Sequence, residues 1–436
     1  MIKLAYSFGA VATALSYQAF STYIIFFYVD VMKLPVYLAG IGMLIYAVWN
    51  AVNDPIAGFI SDNTRTRWGR RIPYLLFGAI PFGIVYFLLW IPPFSGLYQS
   101  FSLFLYFTFF ICLFDGFYTL TILNWASLFP EMFPSLRERA EVNSYRQSFG
   151  MFGLLIGIAL PPLIYGTLGW GAMGAAFGVL IVLSLLIAVR GCHERNESSL
   201  GRPLGLLPAL KATLQNRSFL SFAFANLFVQ FTLTIILATI PFFAKYVLKA
   251  GPQEITLILA AAFLTAIPML FVWRAAAVKF GAKYCFLASM LMLAVFLVPL
   301  FFISSFDKVL ITSALIGVGL SGFILISDII ISDVIDEDEL NTGSRREGMF
   351  FGMNAFITRF AIGLEALSMG AVFLLTGYNP YVFTQAREFE SGLRLLIAGF
   401  PIIALTIGFA IMLLYPLAGK RLEGMRLKLN ELHERQ

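Results

Sequence analysis

The chain has 436 residues, 59% hydrophobic and 12% charged, with a mean hydropathy of +0.84 and a formal net charge of +6. Soluble domains carry roughly 45–50% apolar and about 25% charged residues, so this chain has too little polar surface to cover a water-soluble globule. Its positive excess follows loop position and is no nucleic-acid patch, while Cys112, Cys192, Cys285, His193 and His433 give neither a disulfide framework nor a zinc spacing.

A membrane-crossing helix needs about 20 mostly apolar residues. Hydropathy predicts such helices over 7–31, 36–60, 73–93, 100–129, 142–165, 170–189, 218–246, 254–273, 284–304, 309–332, 348–376 and 393–416. The first apolar stretch runs on to Val31, too long for the core of a secretory signal. The reading is an all-α membrane protein of about twelve transmembrane helices in two pseudo-repeated six-helix bundles. The bundles are 1–190 and 218–418, a linker fills 191–217, and a tail covers 419–436. Two repeats around a central site is a common plan of secondary transporters. One short echo joins the halves, Trp68-Gly69-Arg70-Arg71 after the second helix and Phe280-Gly281-Ala282-Lys283 after the eighth.

Lys and Arg concentrate after the even-numbered helices and in the tail. Lys33, Lys245, Lys249, Lys308, Arg387 and Arg394 fall on the other side. Basic loops stay inside, so both termini are expected in the cytoplasm and the chain in a plasma membrane, the inner membrane if the source is bacterial.

Three cytoplasmic loops carry dense charge. The first holds Asp62, Arg67, Gly69, Arg70 and Arg71. The second runs from Glu131 through Arg139 to Arg146. The third holds Asp333, Asp336, Asp338, Arg345, Arg346 and Glu347. Carboxylates and guanidiniums in corresponding places of two halves can latch one side shut and release it. A positive-inside anchor and a solvated loop are the plainer readings of the same residues.

The segments Asp54-Pro-Ile-Ala-Gly58, Asp62-Asn-Thr-Arg-Thr-Arg-Trp-Gly-Arg-Arg71, Pro130-Glu131, Glu138-Arg-Ala-Glu-Val-Asn-Ser-Tyr-Arg146 and Asp333 to Gly352 together resemble the glycoside–pentoside–hexuronide (melibiose permease-like) cation symporters of the major facilitator superfamily. The resemblance spans most of the chain. It implies two six-helix bundles with a substrate cavity between them, and coupling of substrate to Na⁺, Li⁺ or H⁺.

Ionised side chains within a membrane are costly, and are functional candidates by default. Asp54 stands out. Tyr46, Asn50 and Asp54 share one helix face, and Pro55 frees a backbone carbonyl near residue 51. With Asn53, this makes an oxygen-rich cation site, and the resemblance gives the aspartate matching Asp54 a part in cation binding. Pairing with Arg146 is the structural alternative. The chain departs from the family pattern at Asn50, where a second aspartate is usual. It also has Ala14 and Ile122 near the positions of two sugar-contacting aspartates. A lone Asp54 suits H⁺ at least as well as Na⁺.

Arg146 and Arg359 can hold an anionic substrate group, and Glu365 can carry a proton or serve as a paired carboxylate. The family usually has lysine at the position of Arg359. Gln18, Tyr46, Asn124, Trp125, Asn226, Gln230 and Asn354 are candidate cavity-lining residues, though amides also join helices. Asp115-Gly116 reads as a kink, Asp328 as structural, and Gly153 with Gly157 as a helix-packing pair.

The expected function is cation-coupled symport of a sugar, glycoside or uronide by alternating access, without a cofactor, by a monomer whose partners are its small-molecule substrate and the bilayer. The rival substrate is an amphipathic lysophospholipid. A membrane enzyme or sensor is the distant alternative, and the chain has no phosphate loop, Gly-x-Ser-x-Gly or His-Glu-x-x-His.

Overall fold

The computed structural model describes residues 1–133, 136–194, 215–342, 347–382 and 385–434. Among these, twelve helices are long and apolar enough to cross a membrane. They are α1 (Ile2–Val31), α2 (Val36–Gly58), α3 (Ile72–Leu89), α4 (Ser100–Phe129), α5 (Glu141–Leu168), α6 (Trp170–Arg190), α7 (Arg217–Leu248), α8 (Pro252–Phe280), α9 (Ala282–Phe301), α10 (Phe306–Thr342), α11 (Met349–Leu375) and α12 (Arg387–Leu413). A last helix, α13, covers Gly419–Glu434.

Two expectations are corrected. The acidic segment after residue 332 is helix, because α10 runs on to Thr342. No Gly or Pro interrupts residues 323–342, and helical backbone bonds do not depend on side-chain polarity. Asp333, Asp336 and Asp338 therefore stand on a helix, with Asp333 and Asp338 buried. Asp115-Gly116 marks no interruption either, since the helix runs unbroken over Ser100–Met132.

The chain forms two compact units. The first comprises Met1–Ser199 with Ile240–Ala260 and Phe373–Phe389. The second comprises Leu200–Thr239, Ala261–Val372 and Glu390–Gln436. In the first, α1 packs on α5, α2 on α4, and α3 on α6. Gly153 and Gly157 allow the α1–α5 approach: a β-carbon there would lie 2.8 Å from the Val11 carbonyl oxygen and 2.9 Å from that of Leu15. In the second, α9 packs against α10 and α12, and α13 lies on α10. The echo noted between the halves has a backbone counterpart. Gly69 and Gly281 hold φ of 102° and 88° ahead of α3 and α9, a region that favours glycine.

Candidate functional site

The polar residues of α2 meet α4 inside the first unit. Asn50 Nδ2 donates to Asp115 Oδ1 at 2.7 Å, and Asn53 Nδ2 donates to Asp115 Oδ2. One turn along α4, Thr119 donates to Asp54 Oδ1 at 3.0 Å. Asn50, Asn53, Asp115 and Thr119 are buried. An ionised carboxylate can only accept, so each amide must turn its nitrogen to Asp115 and its oxygen away. The oxygen of Asn53 is buried without a hydrogen-bond partner among the described residues. Such an acceptor is costly to leave unmet.

Sequence reasoning gave Asp115 too little weight, treating it as a kink. It faces the two amides on α2, so the cluster holds two carboxylates, and the argument from a lone Asp54 lapses. Its signal was the four-residue spacing to Thr119, which puts a carboxylate and a hydroxyl on one face of α4. Pairing that face with α2 needed tertiary contact.

Arg146 lies against aromatic rings. Its guanidinium carbon is 4.6 Å from the Trp125 ring centre and 4.7 Å from that of Phe129, a favourable cation–π arrangement. Trp125 itself is committed to a helix contact. Its indole donates to the Tyr6 carbonyl at 2.9 Å, and Tyr6 returns a bond to the Trp125 carbonyl at 2.9 Å. Its indole N–H is therefore taken up within the protein, and its aromatic face is what it can offer as a lining residue. Tyr46 is buried beside Phe20, Asn124 bonds the Leu120 carbonyl of its own helix, and Gln18 is half-buried on α1.

In the second unit, Asn226 donates to Asn354 at 3.0 Å, so two of the expected lining amides meet each other. Glu365 is buried on α11 beside the Thr234 hydroxyl, while Arg359 and Gln230 are half-buried.

Of the expected gate residues, Arg345 and Arg346 lie outside the described residues. The side chains of Asp62, Glu131, Arg139 and Glu347 also lie outside what is described. Arg67 stacks on Trp68, 4.1 Å from the ring centre. Around Gly69 the structure adds a residue the sequence did not single out. Glu194 accepts bonds from the backbone amides of Arg70 (2.8 Å), Arg71 (2.7 Å) and Ile72 (2.9 Å). These amides begin α3, where helical N–H groups lack intrahelical partners and a negative charge is favoured. A side chain at Gly69 would collide with the Glu194 carboxylate. Arg71 also donates to the Ser127 carbonyl on α4.

A second carboxylate went unnoticed in the sequence. Asp30, at the end of α1, is 2% exposed. It accepts bonds from Lys245, Tyr246 and Tyr378, the last at 2.7 Å. Burial, then the Asp30 carboxylate itself, raises the Tyr378 phenol well above its ordinary value, so it remains a donor. The only sequence signal was one acid closing an otherwise apolar run.

With this geometry in place, the likenesses to known proteins can be read. The MFS/sugar transport protein family matches residues 5–419. An uncharacterised symporter of Synechocystis is 35% identical over 210 residues, 46% of this chain, which spans 39% of that relative's length. An Escherichia coli K12 protein provisionally assigned as a sulfoquinovose importer is 27% identical over 93% of this chain and 89% of its own. A sodium-dependent lysophosphatidylcholine symporter of Danio rerio is 22% identical over 97% of this chain and 86% of its own. The crystal structure of a nucleoside transporter shares the fold, with a TM-score of 0.70 at 14% identity over 94% of this chain and 100% of that one.

Proposed function

We infer that this chain, which belongs to the MFS/sugar transport protein family and is a multi-pass secondary transporter, carries a sugar, glycoside or uronide in symport with a cation. The observation that carries the reading is the cluster of Asn50, Asn53, Asp54, Asp115 and Thr119, with the Asn53 oxygen buried and unmet among the described residues. Carboxylate, carboxamide and hydroxyl oxygens are what a hard cation takes as ligands. Na⁺ and H⁺ both suit a site with two carboxylates.

Cation binding would neutralise buried negative charge on α2 and α4 and stabilise the state that accepts substrate. A cation entering down about 100 mV gains about 2.3 kcal/mol per charge, enough to concentrate substrate more than tenfold. Arg146, held on the Trp125 and Phe129 faces, is the candidate contact for an anionic group on a uronide or sulfonated sugar. Arg359 and Glu365, with the Asn226–Asn354 pair, are the candidates on the second unit. The basic-residue distribution supports a plasma-membrane protein with both termini cytoplasmic.

A second reading, symport of a lysophospholipid, is supported by the lysophosphatidylcholine symporters that align with nearly the whole chain. A thermal-shift screen of the purified protein separates the two. Sugars, uronides, sulfonated sugars and lysolipids would each be tested with and without Na⁺ at two pH values, since a ligand of the native state stabilises it. The sugar reading expects stabilisation by a sugar that grows with Na⁺ or at lower pH. Stabilisation by lysolipid alone, beyond a detergent control, would replace it with the second reading.

A further inference from the structure

The ends of α1 and α7 repeat one another in a way that hydropathy does not reveal. Each closes in a π-helical turn, Phe26–Val31 in α1 and Ala244–Leu248 in α7. Each turn is sealed by a bond spanning six residues, from the Leu34 amide to the Tyr28 carbonyl (2.8 Å) and from the Ala250 amide to the Ala244 carbonyl (2.9 Å). Each is followed by a lysine with left-handed backbone, Lys33 at φ 65° and Lys249 at φ 54°. These are the two non-glycine residues with positive φ among the described residues. That conformation is unfavourable for a residue with a β-carbon and collects at switch regions, as π turns collect at functional sites. Tyr246 stands 216 residues after Asp30, and the same spacing separates the two lysines. Asp30 is therefore bonded to its own counterpart in the repeat.

The same residues lie where the chain passes from one compact unit to the other. α7 belongs to the second unit up to Thr239 and to the first from Ile240, and α11 passes over between Val372 and Phe373. Pro241 sits inside α7 at its crossing. It has no N–H for the Leu237 carbonyl, which weakens the helix there. Beyond the crossings, the segments held in the first unit supply Lys245, Tyr246 and Tyr378 to Asp30. Lys33 adds a bond to the Pro380 carbonyl, and Phe242 packs edge-on against Phe26 at 5.1 Å.

We propose that Asp30, with Lys245, Tyr246 and Tyr378, is a latch that holds the ends of α1 and α7 and the segment after α11 together and is released when the transporter opens on that side. By the basic-residue distribution this is the outer side. A buried carboxylate needs all of its donors while dry, and water replaces them once it is exposed. Charge-assisted bonds of this kind are stable in the closed state and dispensable in the open one. The latch carries its own cation, Lys245, and neither the identity of the substrate nor the coupling site enters the argument.

The test uses the full-length protein in intact cells, with Phe242→Cys as reporter. Phe242 is fully buried behind the latch. Labelling by a membrane-impermeant maleimide is followed at that peptide by mass spectrometry. A second reporter, Phe82→Cys, is fully buried in α3 away from the latch. Asp30→Asn and Lys245→Gln are each expected to raise the labelling rate at 242 roughly tenfold or more, leaving the rate at 82 unchanged. Two results overturn the proposal. One is a rate at 242 within about twofold of the parent in both variants. The other is an equal rise at both reporters, which would mean general loosening.

Discussion

The first unit holds two carboxylate sites whose donors differ in kind. Asp30 receives an ammonium and two phenols, all supplied by the protein. Asp115 receives two carboxamides and Asp54 a hydroxyl. Glu194 is a third case, bound by three backbone amides at the start of α3. The contrast separates roles by chemistry. A carboxylate neutralised by a lysine can fasten two segments. One that accepts from carboxamides and a hydroxyl sits among oxygen atoms of the kind a hard cation takes as ligands. One seated on backbone amides fixes a corner of the fold.

The sharpest way to break this contrast is Asp54→Asn. Accumulation of substrate against a gradient should fall from more than tenfold to unity, while exchange across equal concentrations survives; an uptake assay in energised vesicles reads both. Next is Asp115→Asn. If Asp115 contributes its charge to the site and also orients the amides of Asn50 and Asn53, cation affinity should drop at least about 10-fold. Titrating Na⁺ or pH against melting temperature measures that drop, and an unchanged midpoint would return Asp115 to a purely structural role.

Glu194→Gln addresses the third case. Losing the charge on three amide bonds should cost about 1–2 kcal/mol of stability with coupling intact, visible as a lower Tm at unchanged cation midpoint. The smallest effect is expected for Trp125→Phe, which removes one bond to the Tyr6 carbonyl and costs about 1 kcal/mol. A large loss of substrate affinity in that variant would instead give the indole itself a part in binding.

The spans were legible because a bilayer demands long apolar runs, and each predicted helix is present within a few residues except where polar helix continues. α10 is the plain example: hydropathy stops near residue 332, whereas the helix runs to Thr342. Asp54, Asn50 and Asn53 were legible from spacing on one helix. Asp115 was not, since its meaning depends on α4 facing α2. Asp30 and Glu194 were hidden for the same reason: their partners lie 215 and 124 residues away in the sequence. The π turns leave no compositional trace, because they differ from an α-turn by one residue in the bonding register.

The central claim is that the coupling cation binds at Asn50, Asn53, Asp54 and Asp115. The most direct measurement is the cation-dependent shift in Tm of the purified protein, titrated with Na⁺, Li⁺ and H⁺, in the parent, Asp54→Asn and Asp30→Asn. The account predicts a saturable shift in the parent that disappears in Asp54→Asn and persists in Asp30→Asn. A shift that survives in Asp54→Asn, or that vanishes only in Asp30→Asn, would contradict it.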